Sequence, residues 1–210
     1  MSLIINIRRT LICYFIKMFS YTPCKHIIRT RSTAAPITLK IIFFQKILGF
    51  NRSAYWPVHF TSIISNPKNI LIGIGAAPGL SPGCYIQGVG KIIIGDYTLV
   101  GPNVGIISAN HDLLDYRIHQ IGTVIIGNYC WLGMNSMILP NVIIGDHTIV
   151  SAGAVVTKSF PEGYCVLAGN PAKIIKKIDP QTTNKYKNQY EYYGYIPANK
   201  FSNWKERHIK

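Results

Sequence analysis

The chain has 210 residues, 48% of them hydrophobic and 14% charged, with 22 Lys/Arg against eight Asp/Glu. That length suits one domain with an appendage and a sizeable core, and the hydrophobic content excludes a globally disordered chain. No apolar run reaches the roughly 18–20 residues of a membrane span. Five cysteines at irregular spacing, with no CxxC pair, exclude a disulfide framework and a zinc ribbon and make a reducing cytoplasm the simplest compartment.

The positive charge is unevenly spread. Residues 1–50 carry eight basic residues and no acid, residues 51–169 balance five against five, and residues 170–210 carry nine basic and three acidic residues. A neutral middle argues against a nucleic-acid-binding core. Basic, apolar flanks suit an anionic membrane surface or the phosphates of a small ligand.

Residues 1–57 read as a basic amphipathic flank. Ile4, Ile7, Leu11, Phe15 and Met18 fall at helical spacing near Arg8, Arg9 and Lys17, and Ile37, Ile41, Phe44 and Leu48 repeat the pattern with Lys40 and Lys46. The apolar run Leu11–Ile16 is too short for a signal-peptide core. The flank either packs on the domain and its oligomer partners or touches a membrane.

Residues 58–178 hold a repeat. An aliphatic residue recurs every six positions: Ile94, Val100 and Ile106, then Ile126, Leu132, Ile138, Ile144, Val150 and Val156. Glycine often follows it, and four positions on stands a mostly small or β-branched residue: Thr98, Val104, Cys130, Ser136, Val142, Thr148 or Ala154. Short strands joined by tight turns explain a period of six, and three sides closing one coil explain stacking. Both repeat positions point inward, so Cys130 reads as structural filler. Ile93, Ile125 and Ile143 precede inward positions and so point outward. Before Ile94, around Pro78 and Pro82, the phase blurs.

His111 stands where the repeat breaks, before an interruption from Asp112 to Val124 that reads as a loop thrown out from the coils. A histidine at a loop root can serve as a general base, its ordinary pKa being near neutrality. Its second ring nitrogen needs an acceptor, which Asp112, Asn110 or a backbone carbonyl could supply. His111, His119 and His147 are not spaced as converging zinc ligands, so no metal site is expected. His119 is an acceptor-site candidate, and His147 reads as a surface turn residue.

Four strings in order, Ile107-Ser-Ala-Asn-His-Asp112, Trp131-Leu-Gly133, Ser151-Ala-Gly-Ala-Val-Val-Thr-Lys158 and Ala168-Gly-Asn-Pro-Ala-Lys173, resemble the hexapeptide-repeat acetyltransferases. Leu80-Ser-Pro-Gly-Cys-Tyr-Ile-Gln87 is similar to cell-surface polysaccharide O-acetyltransferases. The resemblance implies an all-β fold, a left-handed parallel β-helix with a helical N-terminal flank and an irregular C-terminal one. It implies acetyl-CoA as co-substrate and His111 as the base that deprotonates the acceptor. Coenzyme contacts are expected from Trp131, Met134, Ala152, Gly153, Thr157, Lys158, Lys173 and Lys176. The active sites would lie between subunits of a homotrimer in the cytoplasm, with the inner membrane surface as a further location. The implied acceptor is a sugar hydroxyl of a surface polysaccharide or its lipid-linked precursor. A small acceptor (an amino sugar, free sugar or antibiotic, acetylated on N or O) and a non-catalytic β-helix scaffold remain alternatives. Residues 179–210 form a Tyr- and Lys-rich tail outside the repeat, suited to a short helix over a coil end.

Overall fold

The computed structural model describes residues 24–209. From Ile63 onward the chain climbs in coils of short strands. β1 (Ile63–Ser65) and β2 (Ile70–Ile72) open the climb, and β3 (Tyr85–Gln87), β4 (Lys91–Ile94) and β5 (Leu99–Val100) make the next coil. β6 (Gly105–Ile107) leads out into a hairpin, β7 (Ala109–His111) and β8 (His119–Ile121). β9 (Thr123–Ile126) and β10 (Trp131–Leu132) resume the coil. β11 (Met137–Ile138), β12 (Ile143–Ile144), β13 (Ile149–Val150), β14 (Val155–Val156) and β15 (Cys165–Ala168) follow, and β16 (Lys173–Lys177) closes the stack.

Parallel pairing stacks these strands into three faces. β1, β3, β6, β11 and β14 form the first, β2, β4, β9 and β12 the second, and β5, β10, β13 and β15 the third. The chain visits them in that order, so the fold is a three-faced parallel β-helix. β16 departs from the pattern by turning back antiparallel on β15, which gives the last coil a paired edge.

The repeat accounts for the core directly. Ile94, Ile106, Ile126, Leu132, Ile138, Ile144, Val150 and Val156 are all buried, and Val100 is partly so. The second inward positions, Thr98 through Ala154, are buried as well. Each large buried aliphatic contributes about 1.5–3 kcal/mol, and backbone amides bond from coil to coil, as from Leu99 N to the Cys130 carbonyl at 2.8 Å. Where the phase blurs in sequence the coils still exist: Ile70, Ile72, Ile86 and Ile92 are buried and Ile70 lies beside Ile92. Their corners are longer there, which shifts the period without changing the faces.

The corner between the second and third faces is built from side chains. Asp96 Oδ1 accepts from Ile74 N, Asn128 Oδ1 from Asp96 N and Asp146 Oδ1 from Asn128 N, at 2.7–2.8 Å. A Cβ at Gly127 would run into Asp146 on the next coil, so only glycine fits. The residues that follow this ladder, Tyr97, Tyr129 and His147, have φ of 52–56° and stack ring on ring, with Tyr164 beyond, at centroid spacings of 5.0–5.2 Å. His147, expected at the surface, is 8% exposed because the coils on either side cover its ring.

The flanks cap the stack. α1 (Cys24–Thr30) precedes α2 (Leu39–Ile42), whose N-terminus is capped by Thr38 and which continues as a wider turn over Phe43–Ile47. Gln45 in that turn is fully buried. Its Nε2 donates to the Trp56 carbonyl at 2.9 Å, and its Oε1 accepts from Val58 N at 3.1 Å and Tyr195 Oη at 2.6 Å. The expected helix through residues 4–18 lies outside the described residues. The C-terminal flank is more ordered than expected. Tyr186 packs on Tyr97 and Tyr129, β17 (Tyr192–Tyr193) pairs with β18 (Ile196–Pro197), and α3 (Ala198–His208) buries Phe201 against Tyr193 and Tyr55. Among the described residues no helix is long and apolar enough to cross a membrane.

Candidate active site

The hairpin leaves the prism at the corner between the first and second faces. Its root is pinned by Ser108, whose Oγ donates to the Gln87 carbonyl at 2.6 Å and accepts from Gly90 N at 2.9 Å. β7 and β8 pair antiparallel, setting His111 opposite His119 with ring centroids 4.6 Å apart. Both histidines are exposed.

The loop between them is held by Asp112. Its carboxylate accepts from Leu114 N, Asp115 N and Gln120 Nε2 at 2.8–3.1 Å. These bonds, the Leu114 amide first, hold its pKa below the ordinary carboxylate value. Asp115 clasps Arg117 with two bonds of 2.8–2.9 Å. The loop built this way delivers the Tyr116 carbonyl to His111 Nδ1 at 2.5 Å. A carbonyl can only accept, so Nδ1 carries a proton, and in the neutral form of the ring the lone pair lies at Nε2. Of the three acceptors open in the sequence, the backbone carbonyl orients the ring, and Asp112 instead organises the loop. No sequence signal marks Tyr116 for this task, because the group used is main chain.

The expected coenzyme residues fall on two edges. Trp131 is exposed on the third face, flanked in register by Leu99 and Ile149. It borders a cleft of about 290 Å³ with Leu80, Ser81, Leu99 and Gly101. Met134, Ala152 and Gly153 line the next corner, between the third and first faces, where Gly153 N donates to the Met134 carbonyl at 2.9 Å. All three are exposed, and a Cβ on Gly153 would meet nothing within 4 Å. Lys173 and Lys176 project from exposed β16, paired with Ala168 and Val166. Thr157 and Lys158 sit on the other edge, at the corner that launches the hairpin, and Lys158 Nζ lies 5.7 Å from the Phe160 ring centre. One chain therefore brings Thr157 and Lys158 to the His111 edge and leaves Trp131, Met134, Ala152, Gly153, Lys173 and Lys176 on the third face and its far corner.

Cys130 is buried, and burial raises its thiol pKa to about 12, which suits filler and not a nucleophile. Among the described residues no group of three His, Cys, Asp or Glu side chains converges.

These features define the class: a hexapeptide-repeat β-helix with a histidine-bearing loop. A family model described as bacterial transferase hexapeptide (six repeats) matches residues 123–158. WbbJ of Escherichia coli K12, named for O-acetyl transfer in lipopolysaccharide biosynthesis, is 37% identical over 111 residues, covering 47% of this chain and 56% of that protein. The chain spans about half the length of the curated relatives it matches. In structure it is similar to a maltose O-acetyltransferase from Clostridium difficile 630, with 28% identity and a TM-score of 0.54 over 75% of this chain and 88% of that one. A galactoside acetyltransferase in complex with coenzyme A shares the fold at 22% identity and a TM-score of 0.56, over 81% and 89% of the two chains.

Proposed function

We propose that the chain is an acetyl-CoA-dependent O-acetyltransferase whose general base is His111. The observation that carries this reading is the bond from His111 Nδ1 to the Tyr116 carbonyl, which frees Nε2 on an exposed ring at the root of a braced loop. Nε2 takes the proton of an acceptor hydroxyl as its oxygen attacks the thioester carbonyl, and the imidazolium then returns a proton to the leaving thiolate. Acetyl-CoA supplies the activated acyl group. Trp131 bounds the thiol end of its site, Ala152 and Gly153 leave room for pantetheine against backbone, and Thr157, Lys158, Lys173 and Lys176 serve its polar and phosphate groups.

The β-helix is left-handed in this reading and acts as a trimer. The division of the site residues between two edges supports the trimer, because a neighbour's third face set against the hairpin edge completes the site. Exposed Leu113, Leu114, Tyr116, Ile118 and Ile121 on the hairpin suit such a contact. The acceptor is a sugar hydroxyl of a surface polysaccharide or its lipid-linked precursor, as WbbJ's name and the Leu80–Gln87 string support, and the enzyme works on the cytoplasmic side. Residues 1–50 bring it to the membrane surface.

The test is thiol release from acetyl-CoA against a panel of sugars and glycan fragments, with coenzyme binding measured alongside. Turnover dependent on a hydroxyl acceptor is expected. Absence of coenzyme binding would refute the enzyme reading, and preference for an amine would overturn the O-acetyl assignment.

A further inference from the structure

We propose that the outer face of α2 and its following turn is an interface for an anionic lipid surface. This deepens the membrane part of the reading above and is independent of its acetyl-transfer part. Leu39, Phe43 and Ile47 stand four residues apart and are 70%, 47% and 64% exposed, and Leu48 and Phe50 extend the patch. The segment cannot roll to hide them. Ile37 is buried just before it, and within it the Gln45 side chain is locked to the Trp56 carbonyl, the Val58 amide and the Tyr195 hydroxyl. A run of exposed apolar side chains held outward in this way marks an interaction site.

Charge decides what covers it. The first acidic residue of the chain is Asp96, and eleven Lys/Arg precede it. Lys40 is exposed beside Leu39, and the one ion pair among the described residues, Arg117 with Asp115, lies in the hairpin. A second copy docked face to face would set cation against cation. Carboxylates elsewhere on a copy are largely engaged: Asp96 and Asp146 in the corner ladder, Asp112 and Asp115 in the hairpin, Asp179 in a turn, and Glu191 with the Tyr97 hydroxyl. An anionic bilayer answers both features, offering acyl chains to Leu39, Phe43 and Ile47 and phosphates to Lys40 and its neighbours.

Vesicle co-sedimentation of the full chain tests this, with phosphatidylcholine alone and with added phosphatidylglycerol. The wild type should pellet with the phosphatidylglycerol vesicles and not with phosphatidylcholine alone, less so at high salt. Combined Leu39→Ser, Phe43→Ser and Ile47→Ser should lower the bound fraction about tenfold or more. Lys40→Glu alone should lower it by a smaller factor. All three positions are exposed, so the melting temperature and turnover of a soluble acceptor should hold; a triple variant that melts early is replaced by Leu39→Ser with Lys40→Glu. No binding by the wild type, or equal binding by the variants, overturns the proposal. A variant that dissociates a wild-type oligomer in light scattering also overturns it, making the stripe a contact between copies. Because turnover is read on the same preparations, loss of lipid binding and failure of the acetyl-transfer reading are separately visible.

Discussion

Replacing Gln45 with Met tests how the N-terminal cap is fastened to the coils. The change keeps the shape of the side chain and removes its amide. It strands the Trp56 carbonyl, the Val58 amide and the Tyr195 hydroxyl, whose bonds to Gln45 are 2.9, 3.1 and 2.6 Å. Gln45 is 0% exposed, so water cannot take its place without opening the cap. Each buried group left without a partner costs about 1–3 kcal/mol, so the sum is at least about 3 kcal/mol. For a chain of this length each kcal/mol moves the melting temperature by about 2–4 °C, giving a fall of about 6–12 °C or more. Tyr195→Phe should cost about 1–2 kcal/mol, and the two changes should couple, since they share one bond. Urea and thermal unfolding followed by circular dichroism measure both. Gln45→Met within about 0.5 kcal/mol of wild type, or strict additivity with Tyr195→Phe, would refute this account of the cap.

Other outcomes follow from the ladder and from the proposed coenzyme contacts. Burial between Tyr129 and Tyr164, reinforced by Lys185, lowers the pKa of His147 against a weaker opposing pull from Asp146. The unfolded chain therefore takes up the proton more readily than the folded one, and stability present above about pH 6.5 is lost as pH falls below it toward the folded value. Melting temperatures at pH 7.5 and pH 5.5 should diverge more for the wild type than for His147→Phe, and equal pH dependence would contradict the assignment. Lys173→Ala with Lys176→Ala should raise KM for acetyl-CoA about tenfold per lost phosphate contact while leaving kcat near wild type; a fall in kcat alone would place these lysines elsewhere in the reaction.

The hexapeptide period was readable because an inward residue must be apolar whatever coil it belongs to, and Ile126, Leu132, Ile138 and Ile144 are all buried as that logic requires. The loop after His111 was readable as an interruption of the same period. The stacking of Tyr97, Tyr129, His147 and Tyr164 was not, because it depends on which coil lies over which, and the insertion of the hairpin separates Tyr97 from Tyr129 in the chain. The turn position of His147 was evident from Gly145-Asp146 before it, but its burial comes from its neighbours. Gln45 was hidden between Phe44 and Lys46, where a polar residue reads as outward; only the carbonyl and amide it meets from residues 56 and 58 turn it inward. The Tyr116 carbonyl leaves no trace in side-chain chemistry at all. Ile37, Ile41, Phe44 and Leu48 read as one apolar stripe, whereas the structure buries Ile37, half-buries Ile41 and Phe44 and leaves Leu48 exposed.

The most direct measurement of the central claim is steady-state acetyl transfer by wild type and His111→Ala on the same hydroxyl acceptor. A general base contributes about 10²–10⁴-fold. The expected result is a fall in kcat of that size with acetyl-CoA binding and melting temperature unchanged, since the His111 side chain is exposed and its hydrogen bond among the described residues is the one to the Tyr116 carbonyl. A variant that keeps kcat within about threefold of wild type would contradict the assignment of His111 as the base.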